Sequence, residues 1–141
     1  KFTPQKRSAI MARVRNRNTS PEIAVRKLLH RKGYRFRIQR RDLPGKPDIV
    51  LGKYRTVVFV HGCFWHGHRN CPRAARPKSN VDFWNHKLDK NMRRDLEVYK
   101  ELQSLGWRIL IIWQCQTRDP IAIEALIDSF FSSTEEQIHG C

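Results

Sequence analysis

The sequence is 141 residues long and 40% hydrophobic, and it carries a formal net charge of +15 at pH 7. Such a chain can bury one proper core, which excludes a disordered or fibrous protein and predicts a single globular domain. No apolar run approaches the ~20 residues that a membrane span requires, so a soluble, intracellular protein is expected.

The positive charge is concentrated at one end of the chain. Residues 1–41 contain fourteen Lys and Arg against one acid, Glu22, whereas residues 119–141 contain five acids and no Lys or Arg. A field of this kind attracts a polyanion, and phosphate binding that weakens with salt is its commonest use. We therefore expect a nucleic-acid partner. The alternative is a basic face that only keeps the protein in solution.

The first predicted elements are a basic arm and a helix. Residues 1–18 are expected to form a basic N-terminal arm that binds DNA, with a short helical segment at 8–14. Thr19 is the predicted N-cap of a helix that ends at Gly33, because Glu22 follows the cap by three residues, as in a capping box.

Four strands are expected to follow. Residues 34–38 alternate apolar and basic side chains, which predicts a strand at the sheet edge or with one face exposed. The continuous apolar character of 108–113 predicts a central strand covered on both faces. The two remaining strands are short and lie at 48–51 and 56–60.

Helical spacing predicts two further helices. One spans residues 80–105 and is capped by Ser79 or Asn80; the other spans about 121–131 and precedes an acidic tail, 132–141, that is expected to fray. The buried stripe of the long helix is predicted to contain Trp84, Leu88, Met92, Tyr99 and Leu102. The fold class is therefore α/β, with a mixed sheet and helices on both sides.

The segment from Val60 to Cys71 contains three histidines and two cysteines within twelve residues. Cys63, His68 and Cys71 offer three metal ligands from one loop, and Cys115, just after the last strand, can complete a tetrahedron. A Cys3His set leaves no open position, which indicates a structural zinc. Two alternatives remain open: disulfides among the four cysteines, or a free buried Cys115 beside a loop that only looks rich in ligands.

One arrangement resembles the site of restriction-endonuclease-type nucleases. It consists of an aspartate at the start of one strand, followed about a dozen residues later by a second strand. Those enzymes place a (D/E)-x-K tripeptide on the second strand and hold Mg²⁺ there, which polarises the scissile phosphate and activates a water. Here Asp48 opens the first strand, but Val60 and His61 occupy the tripeptide position. The Val60 backbone carbonyl is a candidate Mg²⁺ ligand, and His61 or His66 could handle the water. An ordinary turn aspartate is the alternative.

Two more acids are candidates for the same site. Asp95 shares a polar helix face with Lys87 and Asn91 at four-residue spacing. Glu22 is the single acid of the basic segment. The alternatives are a capping-box partner for Glu22 and a solvated, salt-bridged surface for Asp95.

Four motifs in order closely resemble the very-short-patch mismatch repair endonucleases, over most of the chain from Met11 to Cys115. They are Pro-Gly-Lys-Pro-Asp at 44–48, His-Gly-Cys-Phe-Trp-His-Gly-His at 61–68, Asn-x2-Phe-Trp-x2-Lys-x3-Asn-x3-Asp at 80–95, and Gly-Trp-Arg at 106–108 continuing to Trp-x-Cys at 113–115. The resemblance implies a restriction-endonuclease-like fold at 19–131 with one structural zinc. It also implies nicking of one strand 5′ to the thymine of a T:G mismatch left by deamination of 5-methylcytosine.

The resemblance also assigns roles to the candidate residues. Asp48 and the Val60 carbonyl would hold Mg²⁺, and His66 with Asp95 would orient or deprotonate the attacking water. Glu22 and His61 would hold metal-bound waters. The structural zinc set would be Cys63, His68, Cys71 and Cys115.

Aromatic and basic residues receive DNA-binding roles by the same resemblance. Phe64, Trp65 and Trp84 would wedge between base pairs beside the mismatch, with a core position for Trp84 as the alternative, and Met11 would enter from the minor groove. Trp107 and Trp113 are assigned to structure. The DNA backbone is expected to contact Arg13, Arg15, Arg17 and Lys87.

These interpretations define the expected cofactors and partners: catalytic Mg²⁺, structural Zn²⁺ and double-stranded DNA with a T:G mismatch. A monomer in the bacterial cytoplasm, associated with the nucleoid, is expected, with mismatch-repair proteins as further candidate partners. Three other functions remain open. They are a nuclease for other mismatches or matched DNA, a zinc-stabilised DNA-binding module without activity, and a hydrolase with catalytic zinc.

Overall fold

The structure, a computed structural model, describes the backbone of residues 19–139 and the side chains of residues 19–132. The predicted helical segment at 8–14, Met11, Arg13, Arg15 and Arg17 lie outside the described residues. None of the described helices is both long and apolar enough to cross a membrane.

One mixed sheet organises the described part of the chain. Its four strands lie in the order β1-β2-β3-β4, with antiparallel pairing from β1 to β3 and parallel pairing between β3 and β4. Parallel neighbours require a crossover, which the long second helix provides. The strands are β1 (Arg37–Ile38), β2 (Ile49–Leu51), β3 (Thr56–His61) and β4 (Arg108–Trp113). The helices are α1 (Ser20–Arg31), α2 (Val81–Ser104) and α3 (Pro120–His139).

Helices cover both faces of the sheet, as predicted. On one face, α1 and α3 pack against side chains of β2, β3 and β4, in a core that contains Leu29, Ile49, Ile112 and Ile127. On the other face, α2 contributes Leu102 to a second core with Val57, Phe59 and Trp107. The structural assignment of Trp107 is thereby confirmed.

The first helix begins as the capping pattern predicts. Thr19 has extended backbone angles, and its hydroxyl oxygen accepts a hydrogen bond from the Glu22 N–H at 3.5 Å. The chain turns after the helix at Gly33, whose φ of +89° is the left-handed conformation that favours glycine. Lys32 then connects α1 to α3 through ion pairs with Glu124 at 3.3 Å and Asp128 at 2.7 Å.

Several predicted features were wrong in detail. Strand β1 lies at the sheet edge, as predicted, but it has only two residues, and both of their side chains are exposed. Within residues 19–139, β4 pairs with β3 alone and is an edge strand rather than a central one. Its apolar run is explained by burial of Leu110 and Ile112 against α1 and α3. Helix α3 continues to His139 instead of ending at Phe131.

The buried stripe of α2 was also predicted only in part. Leu88 and Leu102 are fully buried, and Tyr99 is partly buried against the second core. Met92 is 38% exposed and belongs to a contact with the loop before the helix. Asn80 occupies the N-cap position in a left-handed conformation, but its side chain makes no capping hydrogen bond.

Replacement of Ile127 by Ala should lower the free energy of unfolding by roughly 2–5 kcal/mol, because this fully buried side chain leaves a cavity in the first core. Ile121 lies on the same helix and is 78% exposed, so its replacement by Ala should change stability by less than about 0.5 kcal/mol. Urea denaturation of both variants measures the difference. Equal losses would contradict the assigned packing of α3.

Candidate active site

Asp48 is fixed at the end of the sheet where β2 begins. Its backbone N–H donates to the Val58 carbonyl at 3.1 Å, and its carboxylate accepts a hydrogen bond from the Val60 N–H at 2.7 Å. Since both partners belong to β3, the neighbouring strand holds this side chain in place. The alternative of an ordinary turn aspartate does not account for this contact.

Glu22 reaches the same point from the first turn of α1. It is 7% exposed, and its carboxylate forms an ion pair with the Arg26 guanidinium at 3.0 Å. Its carboxyl group is also hydrogen-bonded to that of Asp48. Burial raises the pKa of Asp48 to about 7, and the nearby negative charge of Glu22 adds to the effect. The two carboxyl groups therefore form a pair that a bound cation would stabilise.

Two histidines stack beside this acidic pair. His61, at the end of β3, is 5% exposed, and its ring lies parallel to that of His66 with centroids 3.7 Å apart and an angle of 13°. Nδ1 of His66 lies 2.7 Å from Oδ2 of Asp95 on α2. Burial, with repulsion from His66, lowers the pKa of His61 to about 3, so this ring is neutral. The Asp95 side chain is 20% exposed and pairs with a residue of the cleft lining rather than with a neighbour on its own helix.

The Cys-His loop, residues 61–71, brings a metal-ligating set together with the segment after β4. The ligand atoms of Cys63, His68, Cys71 and Cys115 all lie within 4.8 Å of one another. The three cysteines are free thiols, which excludes disulfides among the described residues. Four such atoms so close together fit a tetrahedral metal ion, and the closed Cys3His set is the one that structural zinc prefers.

Aromatic side chains form a cluster next to the Cys-His loop. Within it, the rings of Phe64 and Trp65 lie 5.1 Å apart, and Trp84 of α2 lies 5.5 Å from Phe64 and 5.9 Å from Trp65. Trp84 contacts these rings rather than either core, which argues against the core alternative. Sequence reasoning missed Phe83, which is 58% exposed and lies 5.2 Å from Trp84. We call Phe64, Trp65, Phe83 and Trp84 the aromatic cluster.

Two polar residues of α2 connect the helix to this cluster. The Lys87 ammonium lies 5.9 Å from the rings of Trp65 and Phe83, and the Asn91 amide donates to the Trp65 carbonyl at 3.4 Å. The predicted polar face of α2 therefore faces the Cys-His loop. Trp113 is structural, as predicted: its ring stacks on His68 at 4.2 Å.

A cleft of about 650 Å³ joins these groups. Its lining contains both carboxylates, both stacked histidines and two members of the aromatic cluster, namely Glu22, Asp48, His61, His66, Phe64 and Trp65. Sequence reasoning missed Lys46 in the cleft wall, although its position two residues before Asp48 was a usable signal. The cleft can therefore present oxygen ligands, a histidine base and a cation to one phosphate group.

Comparison with known proteins agrees with this geometry. The sequence model of the family described as DNA mismatch endonuclease Vsr matches residues 1–73. The chain belongs to the Vsr family. Membership confirms the predicted resemblance and the prediction of a DNA endonuclease, which is a hydrolase.

Several relatives extend over most of the chain. A type II nicking enzyme of Xanthomonas oryzae pv. oryzae, V.XorIIP, is 50% identical over 125 residues, which cover 89% of this chain and 91% of the relative. The DNA mismatch endonuclease Vsr of Escherichia coli is 42% identical over 124 residues, covering 86% of this chain and 79% of the relative. The type II nicking enzyme V.NmeAIP of Neisseria meningitidis is 46% identical, with 84% of each chain covered.

A glycine separates His66, which lines the cleft, from His68, which belongs to the candidate metal-ligating set. Gly67 has a φ of +65°, and a Cβ added there would lie 2.6 Å from the Met92 sulfur atom. The left-handed conformation reverses the chain direction, so His66 and His68 point to different sites. The Met92 contact packs this turn against α2.

Replacement of Gly67 by Ala should therefore destabilise the fold by roughly 1–3 kcal/mol, mainly from backbone strain, with a smaller cost for moving the Met92 side chain away from the added Cβ. Gly33→Ala is the matched control, since Gly33 also has a positive φ but no neighbour within 4 Å, and strain alone should cost about 1–2 kcal/mol. Urea denaturation gives both values. Adding Met92→Ala to Gly67→Ala should recover part of the loss, and no recovery would contradict the proposed collision.

Proposed function

We propose that this protein is an Mg²⁺-dependent endonuclease that nicks one DNA strand 5′ to the thymine of a T:G mismatch, in very-short-patch repair of deaminated 5-methylcytosine. The observation that carries the proposal is the convergence of Asp48, Glu22 and His66 on one cleft, with Asp95 hydrogen-bonded to His66 from behind it. The Escherichia coli relative, named a DNA mismatch endonuclease, supports mismatched DNA as the substrate.

The carboxylate pair fits a magnesium ion. Mg²⁺ prefers oxygen ligands and retains several waters, so Asp48 and the Val60 carbonyl would hold it directly and Glu22 would hold one of its waters. The raised pKa of Asp48 reflects burial and repulsion between two carboxylates, both of which a divalent cation offsets. When bound, the ion would polarise the scissile phosphate and lower the pKa of the attacking water.

The histidine pair supplies the proton-handling group. Asp95 accepts a hydrogen bond from Nδ1 of His66, which leaves Nε2 of the same ring as the acceptor for a proton from water. Asp95 also stabilises the imidazolium that forms when His66 takes that proton. His61, stacked on His66, would contact the phosphate or a water beside it.

The aromatic cluster suits recognition of a weakly stacked base pair. A T:G wobble pair costs less free energy to open than a matched pair. The stacking contacts of the inserted rings can therefore exceed the free energy lost by unstacking the bases. Phe64, Trp65 and Trp84 would form the wedge, and Met11 would enter from the minor groove. Lys87 and the arm residues Arg13, Arg15 and Arg17 would contact the DNA backbone.

The Cys-His loop would hold a structural zinc through Cys63, His68, Cys71 and Cys115. This role is supported by the closed Cys3His composition and by the short distances among the ligand atoms. The ion would fix the loop that carries His61, His66 and the wedge. A monomer in the bacterial cytoplasm, near the nucleoid, is the expected form of the protein, with mismatch-repair proteins as candidate partners.

A nuclease for another mismatch or for a matched sequence is the second candidate. This candidate is favoured by the relatives that are named type II nicking enzymes, because that name does not specify mismatched DNA as the substrate. Comparison of nicking rates on T:G, other mismatches and matched duplexes separates the two candidates.

Asp48→Asn should reduce the single-turnover nicking rate on a T:G duplex by on the order of 10³-fold, because the ion's charge stabilisation is worth several kcal/mol. Binding of the same duplex, measured by fluorescence anisotropy, should be unchanged or tighter, since a negative charge is lost near phosphate.

Asp128→Asn is the matched control, because this carboxylate on α3 pairs with Lys32 and should leave nicking within twofold of wild type. Two results would overturn the proposal. One is a wild-type rate for Asp48→Asn, and the other is equal nicking of T:G and matched duplexes by the wild-type protein.

Cys115→Ser should remove most of the bound zinc and lower the melting temperature, since a structural zinc contributes folding free energy directly. His30→Ser is the control, because His30 is exposed on α1 and lies outside the metal-ligating set found among the described residues. Metal content by mass spectrometry after dialysis is the measurement. Full zinc retention in Cys115→Ser would remove Cys115 from the ligand set.

A further inference from the structure

A tyrosine on α2 contacts the buried member of the stacked histidine pair. The hydroxyl oxygen of Tyr99 lies 2.6 Å from Nε2 of His61. Tyr99 follows Asp95 by four residues, so both side chains project from the same face of α2. One turn of this helix therefore gives each histidine ring a hydrogen-bond partner: Asp95 for His66 and Tyr99 for His61.

The length of the contact favours one direction of this hydrogen bond. Burial, with the nearby Asp95 charge, raises the pKa of Tyr99 above its usual range, so the phenol keeps its proton. A protonated phenol can donate to an imidazole nitrogen or accept from an imidazole N–H. The separation of 2.6 Å is typical of an O–H donor and shorter than most N–H donors reach, which favours the phenol as the donor. When Nε2 accepts, the ring proton resides on Nδ1.

Packing alone does not select this arrangement. His61 lies against His66 at 3.7 Å, Phe59 at 5.3 Å and Trp113 at 5.5 Å between ring centroids. These ring contacts restrict the plane of the imidazole, but they do not distinguish its two edges. The hydrogen bond from the Tyr99 hydroxyl to Nε2 distinguishes the two edges, and with the phenol as donor it also fixes the tautomer.

We infer that Tyr99 is a positioning residue, which holds His61 as an Nδ1–H donor for an oxygen of the DNA phosphate. The inference rests on the proposed function, in which His61 would contact the scissile phosphate or a water beside it, and it commits to the phosphate. Tyr99 itself acts through His61, with Nε2 occupied by the phenol and Nδ1 left for the substrate. With Tyr99 in this role, α2 would position both histidines of the stacked pair, His66 through Asp95 and His61 through Tyr99.

The first test is spectroscopic and does not depend on activity. In zinc-loaded protein labelled with ¹⁵N-histidine, long-range proton–nitrogen correlation should show His61 with its proton on Nδ1. Tyr99→Phe retains the ring and its packing but removes the donor, so the Nε2 resonance should shift and the Nε2–H form should appear. An Nε2–H ring in the wild type, or an unchanged spectrum in Tyr99→Phe, would overturn the inference.

The second test is kinetic. Tyr99→Phe should lower the single-turnover nicking rate on a T:G duplex about five- to tenfold, the usual net effect of one hydrogen bond, while duplex affinity stays within twofold. Tyr54→Phe is the matched control, because Tyr54 packs against Tyr34 and Phe131 in the other core. A wild-type rate for Tyr99→Phe would contradict the inference.

The third test asks which ring nitrogen serves the reaction. Asn places an amide donor near the position of Nδ1, whereas Gln places one near the position of Nε2. His61→Asn should therefore nick faster than His61→Gln, and adding Tyr99→Phe to His61→Asn should cost less than it does in the wild type. Equal or reversed rates of the two His61 variants would overturn the inference.

Failure of the inference is distinguishable from failure of the proposed function. If the proposed function is wrong, wild-type protein does not prefer T:G duplexes or Asp48→Asn nicks normally. The tautomer of His61 and its dependence on Tyr99 are still read from the spectrum in that case. If only the inference is wrong, nicking depends on Asp48 while Tyr99→Phe leaves both spectrum and rate unchanged.

Discussion

Parallel pairing of β3 with β4 is the constraint on which both candidate sites depend. The register pairs His61 with Trp113, so both strands end at the same edge of the sheet. The Cys-His loop leaves from one strand and Cys115 follows the other, which brings the four metal-ligating atoms together. The same edge receives Asp48 through its hydrogen bond to Val60. Without this register, neither the metal-ligating set nor the cleft would form.

Residue type and spacing grouped the cysteine and histidine side chains that the structure brings together, Cys63, His68, Cys71 and Cys115. The pairing of His66 with Asp95 was expected from the family resemblance, and the two side chains are in contact in the structure. The position of β4 was mispredicted because an apolar run reports burial, and helices can bury an edge strand as completely as neighbouring strands do.

Contacts across the chain explain what sequence reasoning missed. Tyr99 matched the spacing of the core stripe, and nothing in that spacing shows that its hydroxyl meets a histidine 38 residues away. Met92 matched the same stripe, but it packs against Gly67, whose missing Cβ leaves room for it. Phe83 contacts its sequence neighbour Trp84, and it joins the aromatic cluster because Trp84 also meets Phe64 and Trp65 of the Cys-His loop. Such partners depend on tertiary structure and have no local signal.

Helix α2 carries Phe83 and Trp84 of the aromatic cluster near its start and Asp95, the partner of His66, further along. Trp84 and Asp95 are eleven residues apart, which corresponds to about 16 Å along the axis of an α-helix. A continuous helix is stiff over that length. Under the proposed function it would hold the aromatic wedge at a fixed distance from the group that acts on the scissile phosphate, so the position of the nick relative to the mismatch would be set by the number of helical residues between them.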